Sequence, residues 1–181
     1  MESQDAIWIA ALKTGDATAY EKIFKAYYGY AYSAAYRLTR DANTAKDACQ
    51  EVFLELWKNH QKLTVKNSLK SYIHRGVINR SLNIMKSRKH HAGQELTLVT
   101  EKPSHQTPHK VLEHSELAQQ IQAGIDSLPE RCRQVFVLSR HEGKSYKEIA
   151  SALNISVKTV ENQMLKALKT LRKIVAAYRQ Q

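Results

Sequence analysis

The sequence predicts an all-α protein of two helical domains, an N-terminal helical bundle and a C-terminal helix-turn-helix, joined by a flexible linker. Three observations predict it. Apolar residues recur at three- and four-residue spacing along most of the chain, while strand alternation is scarce. One stretch, from about 89 to 109, breaks that spacing with Ser, Thr, Gln and His and holds two of the three prolines. Charge is also unevenly placed: residues 58–91 sum to +9 and 129–181 to +7, against −2 for 1–57 and −3 for 92–128. The domains are expected at 1–90 and 113–181, with 91–112 as the linker.

Helical spacing runs through about 5–13, 17–38, 42–59, 68–88, 110–126, 129–141, 145–153 and 156–178. Asp16, Asp41 and Ser68 suit helix starts, since their short oxygens can accept from the free N–H groups of a first turn. Pro129 falls at another first turn, where its missing N–H is harmless. On the helix around 42–59, Ala45, Ala48, Cys49, Val52, Phe53 and Leu56 form the buried face. Asp47, Gln50, Glu51 and Leu54 share the opposite side. An outward leucine rimmed by acids and an amide suits a docking surface for a partner helix carrying arginines, and the plainer alternative is a solvated face with one stray leucine.

From Ser68 the next helix places Tyr72, Arg75, Asn79, Asn83 and Lys86 on one stripe and Ile73, Val77 and Ile84 on another. An aromatic ring, two amides and two cations in line can stack on a base, bond its edge and neutralise phosphates, which favours single-stranded or opened DNA. The alternative is a packed Tyr72 with solvated amides. Residues 145–171 read as two helices in a tight turn, with apolar faces Tyr146, Ile149, Ala150, Leu153 and then Val157, Val160, Met164, Ala167, Leu168, Leu171. Asn154 tolerates the left-handed conformation such a turn requires, and Ser156 suits the following N-cap. Lys158, Asn162, Lys166, Lys169 and Lys173 fall opposite the apolar stripe with Thr159 beside them, a pattern fitted to base edges and phosphates in a major groove.

Residues 58–91 contain nine lysines and arginines and no acid, which points to a polyanionic partner; an anionic membrane would be attracted too. Cys49 and Cys132 lack metal or redox spacing and sit in apolar helical patterns, so buried free thiols in a reducing compartment are expected. The apolar run Ile7–Leu12 is too short to span a bilayer, and a cytoplasmic protein without signal peptide is the expectation. His90, His91, His105, His109 and His114 cluster in sequence, but a metal nuclease needs a rigid ligand geometry that this stretch does not offer. No metal, cofactor or small-molecule substrate is expected, and no enzyme.

Several segments occurring in order carry a resemblance: Leu12-Lys-Thr-Gly-Asp16, Tyr36-Arg-Leu-Thr-Arg-Asp-Ala42, Asp47-Ala-Cys-Gln-Glu-Val-Phe-Leu-Glu-Leu-Trp57, Leu128-Pro-Glu-Arg-Cys-Arg-Gln-Val-Phe136 and Glu142-Gly-Lys-Ser-Tyr-Lys-Glu-Ile-Ala150. Together they closely resemble the extracytoplasmic-function sigma factors of bacteria, particularly the group common in Bacteroidetes. The resemblance implies a transcription initiation factor with core RNA polymerase, promoter DNA and a cognate anti-sigma factor, often membrane-bound, as partners. It assigns polymerase binding to Asp47, Gln50 and Glu51, and the minus-ten element to the loop near 62–68 with Tyr72, Asn79 and Asn83; Leu54 joins the first set and Arg75 and Lys86 the second by their places on the same helix faces. The minus-thirty-five duplex falls to Lys158, Thr159, Asn162 and Lys166. The chain departs from the family pattern at Lys46, His74 and Gly76, and a mid-helix glycine costs about 1 kcal/mol against alanine. The helix-turn-helix alone also resembles the output domain of response regulators, but that reading gives no account of residues 1–90.

Overall fold

The structure, a computed structural model, describes residues 4–65, 68–92 and 116–178, and every regular element among them is helical. These are α1 (Gln4–Lys13), α2 (Ala17–Thr39), α3 (Ala42–Lys58), a short 3₁₀ turn (His60–Lys62), α4 (Leu69–Ala92), α5 (Glu116–Asp126), α6 (Glu130–Arg140), α7 (Tyr146–Leu153) and α8 (Val157–Tyr178). The chain divides into two compact units that meet in sequence between Glu101 and Lys102. No helix among the described residues is long and apolar enough to cross a membrane.

In the first unit α2, α3 and α4 pack on one another and α1 lies on α2 and the 3₁₀ turn. The capping chemistry matches the sequence expectation. Asp16 Oδ1 accepts from the Thr18 amide at 2.7 Å, Asp41 Oδ1 from the Thr44 amide at 2.6 Å, and Ser68 Oγ from the Ser71 amide at 3.1 Å. Each satisfies a donor that the first turn leaves without an intrahelical partner. Between α2 and α3 the chain turns through Arg40 at φ 54°, and its N–H donates to the Tyr36 carbonyl. All six residues expected on the buried face of α3 are buried, against Ile23, Ala31, Ala34 and Leu38 of α2 and Ile73, Val77, Ile78 and Leu82 of α4.

Gly76, a departure from the family pattern, has a packing reason. A Cβ added there would stand 3.1 Å from Val52 Cγ1, so the glycine lets α4 pass close over α3. That close crossing outweighs the helix propensity that the glycine forfeits. A feature absent from the sequence reading runs along α2: Tyr20, Phe24, Tyr28, Tyr32 and Tyr36 stand one turn apart with successive ring centroids 4.8–6.4 Å apart, and Arg40 lies over Tyr36. These rings are half-buried and meet α3 through Phe53 and Trp57.

In the second unit α8 packs on α5, α6 and α7. Ser145 and Glu148 form a reciprocal cap at the start of α7, with Ser145 Oγ accepting from the Glu148 amide and Glu148 Oε2 from the Ser145 amide. Asn154 closes α7 at φ 52°, the left-handed conformation expected of it. Ser156 Oγ accepts from the Thr159 amide at 3.0 Å and starts α8. Pro129 occupies the N-cap of α6 instead of its first turn, and α6 is unusual in burying polar residues. Gln134 is fully buried and donates to Glu130 Oε1 at 2.6 Å, while Arg133 donates to the Leu128 carbonyl.

Several expectations need correction. The sequence between Val77 and Ala92 has no glycine or proline, and α4 accordingly runs through Lys89–Ala92 beyond the expected break. The remainder of the expected linker, and residues 110–115 of the expected fifth helix, lie outside the described residues. Val157 is 38% exposed and not part of the buried stripe of α8, because it sits in the first turn. Both cysteines are buried and free; burial pushes the Cys49 thiol up to about 12 and raises that of Cys132.

Candidate functional site

The outward face of α3 carries the first group of expected residues. Asp47, Gln50 and Leu54 are exposed and Glu51 is half-exposed, and Leu54 leaves half of its surface in solvent. The two acids are not bare, however. Arg80 of α4 forms an ion pair with Glu51, and Arg88 reaches Asp41 at 3.0 Å and Asp47 at 3.9 Å. The antiparallel course of α3 and α4 produces this ladder, which brings residues far apart in sequence side by side. Arginines expected from a partner are thus already supplied within the chain, leaving Gln50 and Leu54 as the unengaged centre of the stripe. Around Asp41, burial works to raise the carboxyl, yet hydrogen bonds from Thr44 and Arg88 hold it below the usual aspartate range.

Beside this ladder, α3, α4 and the segment leading into α4 enclose a cavity of about 490 Å³. Tyr72, Arg75, Asn79 and Asn83 line it, four of the five residues expected on one stripe of α4. The fifth, Lys86, is exposed on the same helix but does not line the cavity. Thr64, Val65 and Ser68 close one side, and Glu55, Gly76 and Arg80 complete it. The tyrosine presents 36% of its surface, and its phenol is pushed up by burial and then by the charge of Glu55. Such a hollow joins a flat ring, amides that both donate and accept, and guanidinium donors, in a space large enough for one unstacked base. Glu55 and Arg80 were missed by the sequence reading: Glu55 lies on α3, and only the crossing at Gly76 brings it to the α4 stripe.

The third group lies on α8. Lys158, Asn162 and Lys166 are exposed, while Val160, Met164, Ala167 and Leu171 are buried on the other side. Lys158 pairs with Glu161 at 3.2 Å, and the Thr159 hydroxyl lies 2.8 Å from that of Ser156, so both have local partners. Leu165 was not anticipated: it is 65% exposed, one turn from Asn162 on the outward side. Among the described residues no cluster of His, Cys, Asp and Glu could hold a metal. The side chains of the expected histidine cluster lie outside the described residues.

Two family matches fall on these two units. Residues 23–91 match sigma-70 region 2, and residues 118–171 match sigma-70 region 4. The matches occur in order and together span well over half of the chain. It belongs to the sigma-70 family. Among similar proteins, the ECF RNA polymerase sigma factor SigE of Mycolicibacterium smegmatis is 27% identical over 173 residues, covering 91% of this chain and 66% of its own length. The ECF RNA polymerase sigma factor SigW of Bacillus subtilis is 28% identical over 174 residues, covering 91% of this chain and 93% of its own.

Within the family, the chain is an extracytoplasmic-function sigma factor, a factor for transcription initiation. The fold agrees with solved structures. The sigma factor RpoE in complex with the anti-sigma factor NepR from Bartonella quintana aligns at TM-score 0.53 and 15% identity, covering 86% of this chain and 96% of that one. CnrH in complex with the cytosolic domain of CnrY aligns at 0.51 and 18%, covering 97% and 99%. The response-regulator reading fails on residues 23–91, whose regular elements are all helical where described and which match a sigma region.

Proposed function

We propose that this sigma factor binds core RNA polymerase through the Asp47, Gln50, Glu51 and Leu54 face of α3. It then holds an opened minus-ten strand in the cavity lined by Tyr72, Arg75, Asn79 and Asn83, with Lys86 on a neighbouring phosphate. The outward face of α8 reads the minus-thirty-five duplex through Asn162, with Lys158, Thr159 and Lys166 serving contacts to phosphates or base edges. Region 2 and its roles occupy 1–90, region 4 occupies 113–181, and 91–112 joins them. The protein itself performs no catalysis and acts in the cytoplasm. An anti-sigma factor that covers these faces is the further partner, by extension from the two solved relatives, each a complex with a second protein.

The observation that carries this reading is the cavity: four residues assigned to strand capture from sequence line one hollow of base size. Ring, amides and guanidinium there meet the needs of an extruded base, which must be stacked on one face and bonded at its edge. Transcription by purified core enzyme with and without the chain, on fragmented genomic DNA with sequencing of transcript starts, tests it. New starts preceded by two shared elements are expected. A set of starts identical to that of core enzyme alone would remove the assignment.

A further inference from the structure

The strand-capture cavity contains an acid where a polyanion is to be held. Glu55 is the one carboxylate lining it among the described residues. Phosphates repel a carboxylate, so in a nucleic-acid site an acid acts either by orienting a cation or by accepting from hydrogen-bond donors at a base edge. Glu55 is also not committed elsewhere. Its neighbour Glu51, one turn earlier on α3, pairs with Arg80, whereas the Glu55 carboxylate has no ion pair or side-chain hydrogen bond among the described residues.

We propose that Glu55 is the specificity-determining residue of this cavity, accepting a hydrogen bond from the exocyclic amino group of the unpaired base and thereby rejecting thymine. The inference rests on the strand-capture reading above. An ionised carboxylate only accepts. Cytosine, adenine and guanine each present an amino group on the edge freed by unpairing, and cytosine is the base whose amino group a glutamate most often takes. Thymine presents two carbonyl oxygens there, with a single N–H between them, and both carbonyls are repelled by the acid. Tyr72 provides a stacking surface indifferent to base identity, and Arg75 and Asn79 supply donors for the acceptors that cytosine, adenine and guanine all carry. Within this set Glu55 is the one group that only accepts, and so the one that favours an amino edge over a carbonyl edge. No sequence periodicity would reveal it, because α3 and α4 contribute to the hollow separately.

Holoenzyme assembled from the full chain and core polymerase should be selected on duplex promoters randomised across the minus-ten element. The wild type and Glu55→Gln are compared, with core binding measured in parallel. The wild type is expected to disfavour thymine at one position by about tenfold, the scale of one base-edge contact. Glu55→Gln, whose amide can donate to a thymine carbonyl, admits thymine at that position alone and leaves the other positions and core binding as they were. An unchanged preference in Glu55→Gln overturns the inference while strand capture stands. A loss spread evenly over the library overturns it too, since that marks a general electrostatic or shaping role. A wild type that enriches no minus-ten sequence removes strand capture and the inference together.

Discussion

The α3–α4 face and the outward face of α8 are both rich in cations, yet they handle charge in opposite ways. On α3 and α4 the arginines cross between helices: Arg80 meets Glu51, and Arg88 meets Asp41 and Asp47. The result is a surface tied across two helices with a cavity beside it. On α8 the charges stay on one helix, and Lys158 with Glu161 is a contact within one turn. That surface belongs to a single helix, and Asn162 and Lys166 are exposed on it. A hollow between cross-linked helices suits an unstacked base, and the exposed face of one helix suits the groove of an intact duplex. Similar charge on two surfaces thus fits the two proposed recognition modes, according to whether the partners of the cations lie on the same helix.

The crossing of α3 and α4 is where this comparison breaks most readily. Gly76→Val would drive branched carbons into Val52, whose Cγ1 already stands 3.1 Å from a Cβ at that position. Overpacking of this kind destabilises by about 1–3 kcal/mol, and the first unit should lose its cavity while the second keeps its fold. Thermal unfolding followed by circular dichroism, with Val52→Ala added as a compensating change, checks it. Recovery in the double variant is the expected result, and additivity of the two losses would deny that the close crossing is what matters.

Next in size is the strand-capture contact itself. Asn79→Ala should slow open-complex formation on duplex promoters but spare a template already mismatched across the minus-ten element. Permanganate footprinting follows the opened bases. Equal loss on both templates would mean that Asn79 serves general affinity, and the contrast between a base-holding hollow and a duplex-reading helix would weaken accordingly.

On α8 two neighbouring residues should diverge. Asn162→Ala should cost about 1–3 kcal/mol at one position of the minus-thirty-five element and relax its base preference. Lys166→Ala should weaken all sequences alike and lower the salt slope by about 1. Holoenzyme binding to a randomised library at two salt concentrations separates them. Thr159 is expected to matter less to either, since its hydroxyl already faces Ser156 at the helix start.

The legibility of these surfaces follows the same divide. Much of what is fixed within a single helix was readable: the caps at Asp16, Asp41 and Ser68, the left-handed Asn154, the buried face of α3 and the outward set Lys158, Asn162 and Lys166, though not the aromatic row of α2. Helical periodicity and short-range hydrogen bonding determine these features. What depended on two helices meeting was not readable. Arg80 and Arg88 as partners of the α3 acids, Glu55 as part of the cavity, and Gly76 as the crossing point all require knowing that α4 runs antiparallel to α3. Buried Arg133 and Gln134 on α6 were hidden for a related reason, since their bonds to Leu128 and Glu130 lie within the helix and its entry turn but their burial comes from packing. The exposed Leu165 ran against the apolar stripe, and periodicity alone would have placed a polar residue there.

The smallest effect expected concerns the outermost rung of the ladder. Asp41 has a folded-state carboxyl held below its ordinary value of 3.8, with burial opposing and the bonds from Thr44 and Arg88 prevailing. A carboxylate depressed in the folded state contributes stability at neutral pH, where both folded and unfolded forms are ionised. That contribution fades as pH falls below 3.8 and through the lower folded value, because the unfolded chain then binds the proton first. Arg88 and Asp41 are each about half exposed, so solvent screens the pair and its worth is at most about 1 kcal/mol. Arg88→Gln should therefore lower the urea midpoint of the first unit slightly at neutral pH. The gap from wild type should narrow as Asp41 is protonated, and added salt should narrow it too. A gap that persisted unchanged in acid would show that Arg88 stabilises α4 through Thr44 and packing, leaving the ion-pair ladder without a share in holding the two helices together.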